Sequence, residues 1–135
     1  MYTNETNIRV RYAETDQMGY VYYGVYAQYY EVGRVELLRS IGLSYKKLEE
    51  KGFSLPVLDF TIKYKKPAFY DDELIIKTTV STLPSTKIDF EYETYNAKKQ
   101  LLNIGKVTLV FVNKLSSKPC NAPGFLLDLF KKRFS

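Results

Sequence analysis

Asp16 is the acid whose setting points to chemistry. It sits in T-D-Q-M-G, a turn containing Gly19, just ahead of the longest helical pattern in the chain. A helix start presents unpaired backbone N–H groups and the positive end of a dipole. An oxygen that turns negative during acyl transfer can be bound there, while a carboxylate a few residues upstream attacks the carbonyl or activates a water. On spacing alone, the readier reading is a turn capped by Thr15 or Asp16 with no chemical role. The chain has no histidine, which excludes Ser-His-Asp and Cys-His chemistry, histidine-ligated metals and an imidazole base. Its single cysteine, Cys120, cannot build a thiolate-rich zinc site and reads as an inert small side chain. A reacting group must therefore be a carboxylate, Tyr, Lys, Ser/Thr or Cys120.

The element that positions Asp16 is a helix predicted from about 24 to 41, roughly 27 Å long. Tyr26, Tyr30, Gly33, Leu37 and Ile41 fall on one stripe, and Gly42 stands where a helix ends. Val25, Tyr29 and Val32 interrupt the opposite side, so the helix is expected to be mostly buried, with Gly33 admitting a close backbone. Before it, 8–12 alternates as a strand does. After it, Ser44 caps a short helix that Gly52 ends. The period then changes to two over 57–65, 73–83 and 87–95, and 96–99 reads as a hairpin turn. A last strand over about 101–114 has few polar breaks and is expected to be central and covered on both faces. An amphipathic helix spans 124–133. This order predicts an α+β fold with a five-stranded antiparallel sheet covered on one face by the long helix, together with short extra helices. Open edges on such a sheet favour self-association.

The 135 residues read as a single domain, 1–135, and their 45% hydrophobic and 26% charged content suits a globular chain. No apolar run is long enough to insert in a membrane, and the N-terminus lacks a secretory signal pattern. With the lone cysteine, this predicts a cytoplasmic location. A net charge of +5 favours anionic partners without choosing among them.

The segment RYAETDQMGYVYYGVYAQYYEVGRVELLRSIG resembles the signature of the 4-hydroxybenzoyl-CoA thioesterase-like branch of hotdog-fold acyl-CoA thioesterases. Thr15, Asp16, Gly19, Val21, Tyr26, Glu31 and Arg34 carry the match. YKKPAFYDDEL at 64–74 is similar to a second family segment, and the likeness continues to about residue 113. The resemblance implies a hotdog fold, with one long helix wrapped by a curved antiparallel sheet and protomers paired edge to edge around shared sites. It implies hydrolysis of a coenzyme A thioester to a free acid and the thiol. Asp16 corresponds to the nucleophile or general base, and the backbone N–H of Tyr23 to the donor that polarises the thioester carbonyl. Gly19 and Tyr26 fall in the substrate-binding signature. Many bacterial relatives have histidine where this chain has Tyr23, which sets aside a histidine-assisted mechanism here.

Coenzyme A is then part of the substrate, and no bound cofactor or metal is expected. Lys63, Lys65 and Lys66, beside Pro67, are candidates to receive its phosphates, or else form a solvated strand face. The tyrosines around the turn, Tyr20 to Tyr30, either line an acyl or aryl pocket or pack the core and interface. The expected assembly is a homodimer or a dimer of dimers, with an acyl-carrier protein as a further possible partner. The rival functions are a non-catalytic binder of acyl-CoA or acyl-carrier protein, and a protein that stacks single-stranded nucleic acid. Acidic residues alternating with basic ones on the strands count against the last.

Overall fold

The computed structural model describes residues 1–134. Strand β1 (Tyr2–Arg9) leads through a 3-10 turn (Tyr12–Glu14) and a second one (Tyr23–Val25) into helix α1 (Tyr26–Ser40), followed by α2 (Tyr45–Glu50). Then come β2 (Phe53–Ser54), β3 (Val57–Tyr64), β4 (Glu73–Val80), β5 (Lys87–Tyr95), β6 (Leu101–Val110), β7 (Val112–Asn113), β8 (Lys118–Pro119) and α3 (Gly124–Lys131). The main sheet has five strands in the order β1-β4-β5-β6-β3, every neighbour antiparallel. A small sheet β2-β7-β8 stands beside it. Helix α1 crosses one face of the main sheet, as a hotdog fold requires.

The apolar stripe on α1 is the buried one: Tyr26, Tyr30, Gly33, Leu37 and Ile41 face the sheet, joined by Tyr29 and Leu38. Gly42, at φ 95°, ends the helix in the left-handed conformation open to glycine. The expectation of burial on more than one side is corrected here, because Gln28, Glu31 and Val32 face outward and Val32 is 41% exposed. A sheet can cover only the side it touches. Strand β6 is corrected for the same reason. Val107 and Leu109 point to the helix, whereas Lys106 is exposed on the other face.

Two glycines set how closely helix and sheet approach. A Cβ on Gly33 would lie 2.5 Å from Thr78 Oγ1 and 3.0 Å from Ile76 Cγ2, both on β4. A Cβ on Gly105 would strike the Tyr30 ring and lie 2.9 Å from the Thr61 carbonyl oxygen. At this close approach Tyr30 stacks on Tyr92, centroids 4.1 Å apart and planes 1° from parallel, and its hydroxyl donates to Asn103 Oδ1 at 2.6 Å. Gly33→Ala is therefore expected to destabilise the protein by about 1–3 kcal/mol, since a methyl group forced into a packed interior displaces its neighbours. Denaturant unfolding of the variant beside the wild type checks this. An unchanged midpoint would mean that the helix shifts freely, against the packing seen here.

The first strand lies earlier than the pattern at 8–12 suggests, and the long final strand breaks at Phe111 into β6 and β7. Among the described residues, no helix is long and apolar enough to cross a membrane.

Candidate active site

Asp16 opens a tight hairpin. Its N–H donates to the Tyr20 carbonyl at 2.9 Å, and its own carbonyl accepts from Gly19 N–H at 2.9 Å. Gly19 takes φ 84°, where a Cβ would be strained, so the glycine is what permits the turn. The side chain does cap this turn: Oδ1 accepts from Met18 N–H at 2.9 Å. That bond fixes the carboxylate while leaving its second oxygen without a partner in the chain among the described residues. Bridges Thr15–Val21 and Tyr20–Phe69 tie the hairpin into the fold. Val21 N–H donates to the Ala68 carbonyl at 2.9 Å and Tyr22 N–H to the Glu14 carbonyl at 2.8 Å.

The second strand of this hairpin runs straight into the helical segment. Tyr22 is extended (φ −61°, ψ 135°) and no side chain caps the turn that follows. The first bond of that turn runs from Val25 N–H to the Tyr22 carbonyl at 2.9 Å. The N–H groups of Tyr23 and Gly24 come before it and, among the described residues, donate to nothing in the chain. The Tyr23 carbonyl, by contrast, accepts from the Tyr64 hydroxyl at 2.9 Å, which holds this stretch of backbone to β3. The Tyr64 ring in turn packs edge-on against Tyr26 at 5.7 Å. The arrangement provides free donors at a helix start and a carboxylate on the same hairpin, the pairing that acyl transfer needs.

Electrostatics support a structured rather than a casual loop. Burial would raise the Glu14 carboxyl, but hydrogen bonds from the Arg11 N–H and the Tyr29 hydroxyl, aided by the Arg11 guanidinium, hold it below its ordinary value. Tyr29 is pushed far up by burial and by its bond to Glu14, so it stays a donor. Tyr26 is raised to about 12, chiefly by burial. The adjoining Tyr23 phenol is the main cause that raises Tyr22, and the Asp16 carboxylate adds a smaller contribution.

Asp16 and Gly19 line a cleft of about 640 Å³ with Tyr12, Thr15, Gln17 and Tyr70. Two of its lining rings, Tyr12 and Tyr70, meet edge-on at 5.5 Å; outside its lining, Tyr20 meets Phe69 likewise at 5.5 Å, and Tyr22 lies 4.6 Å from Tyr23. These rings are exposed, Tyr23 by 65%. An exposed aromatic patch around a carboxylate marks a site for binding or for a partner surface. Tyr26 is buried. The three lysines do not converge on the cleft. Lys63 opens onto a larger concavity of about 830 Å³ on the outer sheet face, which mixed Lys, Glu and Thr side chains line. Lys66 lines a separate groove with Phe69 and Asp72, and Lys65 is exposed at the end of β3. Asp16, the acid on the hairpin that ends in the free backbone donors, opens onto the smaller cleft and not onto this concavity. Glu14 and Tyr64 escaped the sequence reading, and Tyr29 entered it only as a pocket-lining or packing ring, because their partners lie across the fold without any local period.

The thioesterase-like superfamily profile matches residues 10–130. YneP of Bacillus subtilis is 38% identical over 119 residues, covering 88% of this chain and 86% of that protein. The acyl-CoA thioester hydrolase YbgC of Escherichia coli is 34% identical over 125 residues, covering 93% of each. Among solved structures, DHNA-CoA thioesterase from Staphylococcus aureus superimposes with a TM-score of 0.93 at 32% identity, covering 98% of this chain and 91% of that one.

Proposed function

The chain belongs to the thioesterase-like superfamily, and from that premise we propose that it is an acyl-CoA thioester hydrolase with Asp16 as the reacting acid. Water and the thioester give a free acid and coenzyme A: the carbonyl carbon gains an oxygen, the carbon–sulfur bond breaks, and the sulfur leaves with a proton. Asp16 either attacks the carbonyl itself, expelling the thiolate and leaving an anhydride that water then hydrolyses, or takes the proton from an attacking water. The N–H of Tyr23 receives the carbonyl oxygen as it gains charge. A thiolate leaves readily, so the absence of histidine from the chain costs the reaction little.

The observation that carries this reading is one hairpin, whose first strand holds the Asp16 carboxylate and whose second ends in the uncapped N–H groups of Tyr23 and Gly24. The names of the relatives supply the substrate class. Lys65 and Lys66, at the loop that carries Tyr70 to the cleft, are the basic residues this reading offers to the phosphates of the coenzyme. Strand β3 supports an edge-to-edge dimer, since among the described residues its outer edge has no neighbour and Val57, Leu58, Phe60 and Tyr64 on it are exposed.

The test is release of free thiol from a panel of acyl-CoA esters, from short-chain to long-chain and aromatic. Turnover of at least one member well above its spontaneous hydrolysis is expected. A purified oligomer that binds these esters but releases no thiol from any of them would replace this reading with that of a carrier.

A further inference from the structure

Glu14 is the one charged side chain buried among the described residues. Burying a carboxylate is costly unless donors surround it. Here Oε1 accepts from Arg11 N–H at 2.8 Å and from the Tyr29 hydroxyl at 2.9 Å, and Oε2 lies 3.3 Å from Arg11 Nε. Nothing in the proposed reaction uses this carboxylate, so its burial needs another reason.

Its partners suggest one. Arg11 begins the 3-10 turn that delivers Thr15 and Asp16, and Tyr29 stands on the first turn of α1. The Glu14 backbone carbonyl takes the Tyr22 N–H at 2.8 Å, one residue before the free Tyr23 donor. One residue thus ties the acid's segment to the helix body through its side chain and to the helix start through its backbone. We infer that Glu14 and Tyr29 are positioning residues that set the separation between the Asp16 carboxylate and the Tyr23 N–H, an inference resting on the reading of Asp16 as the reacting acid. Neither touches substrate. The shifts on the two groups keep Glu14 an acceptor and Tyr29 a donor throughout the neutral range. A misplacement of about 1 Å at a reacting centre is enough to cost a hundredfold in rate, so a tie at this point controls turnover out of proportion to its energy.

The experiment measures kcat, KM and thermal unfolding with the acyl-CoA ester that the wild type turns over fastest. Tyr29→Phe removes one hydroxyl and is expected to lower kcat about tenfold, with KM within about threefold and the protein still folded at the assay temperature. Glu14→Ala is expected to lose at least as much. Glu14→Gln, which keeps an acceptor oxygen for Arg11 and Tyr29, is expected to recover most of that loss. The double variant Glu14→Ala/Tyr29→Phe is expected to be no slower than Glu14→Ala, because the two residues act as a unit. Should Glu14→Ala not fold, Tyr29→Phe and Glu14→Gln decide the matter. A folded Tyr29→Phe with kcat within about twofold of the wild type overturns the inference, even if its melting point falls, because that is the signature of a purely structural bond. Asp16→Asn runs alongside. If Asp16→Asn stays active, the assignment of the acid fails and this inference with it; if it is inactive while Tyr29→Phe is unimpaired, only the positioning role fails.

Discussion

Asp16→Asn is expected to reduce kcat by about a thousandfold, or about 4 kcal/mol of transition-state stabilisation, while leaving fold and assembly unchanged. The reason lies in what asparagine keeps. Its side-chain oxygen still accepts the Met18 N–H that Asp16 Oδ1 holds at 2.9 Å, so the hairpin survives. What disappears is the negative oxygen that attacks carbon or draws a proton from water, and a neutral amide does neither. A partly exposed turn residue makes little apolar contact, so unfolding should move by no more than about 0.5 kcal/mol. Circular dichroism, size-exclusion chromatography and thiol release on one preparation check all three parts. If Asp16→Asn retains turnover within about tenfold of the wild type, Asp16 is only the cap of its turn, the alternative that spacing left open. A large rise in KM at unchanged kcat would instead assign Asp16 to binding.

The parts of this molecule that repeat locally were legible in the sequence. Helix α1 announced itself through a stripe with period 3.6 and a terminating Gly42, and β5 through Ile88, Phe90 and Tyr92 alternating with acids. Edge strand β1, YTNETNIR, carries little apolar alternation because the half-exposed edge it occupies asks for none. The two-residue strands of the small sheet are too short for any period to register. Within the candidate site, Asp16, Gly19 and the Tyr23 N–H belong to one continuous segment, which the family resemblance picks out as a whole. The placement of the lysines was not legible. Lys63 lies on the outer face of β3, and the alternation stops at Tyr64, after which the N–H groups of Lys65 and Lys66 both turn onto the Leu102 carbonyl at 2.8 and 3.0 Å. A basic run in sequence thus disperses in space. Glu14 and Tyr29 lie fifteen residues apart and Tyr23 and Tyr64 forty-one, separations at which only the folded chain shows who meets whom.

Leu58→Asp is expected to split the assembly into monomers and to lower kcat more than tenfold, an effect second in size only to that at Asp16. The two edges of the main sheet are built differently. At β1 the exposed positions Glu5, Asn7 and Arg9 are polar, as suits an edge that meets water. At β3 the sequence is VLDFTIKY, and every residue but Ile62 is exposed in the single chain, Leu58 by 55%. A long apolar edge with unpaired backbone groups invites a second strand, and a two-fold pairing of β3 with the β3 of another copy satisfies both. Symmetry then doubles the effect of the substitution, because each protomer brings a new carboxylate to the apolar seam, where burying an unpaired charge costs several kcal/mol. Loss of the partner reaches the chemistry through Tyr64, which stands on this strand and donates to the Tyr23 carbonyl at 2.9 Å. A β3 released from its mate lets that bond loosen, and the free N–H groups at the helix start lose their fixed direction. Light scattering should therefore give the wild type twice the 15.7 kDa of the chain and the variant a single chain mass at micromolar concentration. A wild type that is monomeric and fully active would dismiss the paired edge, and would show that one chain alone completes the site.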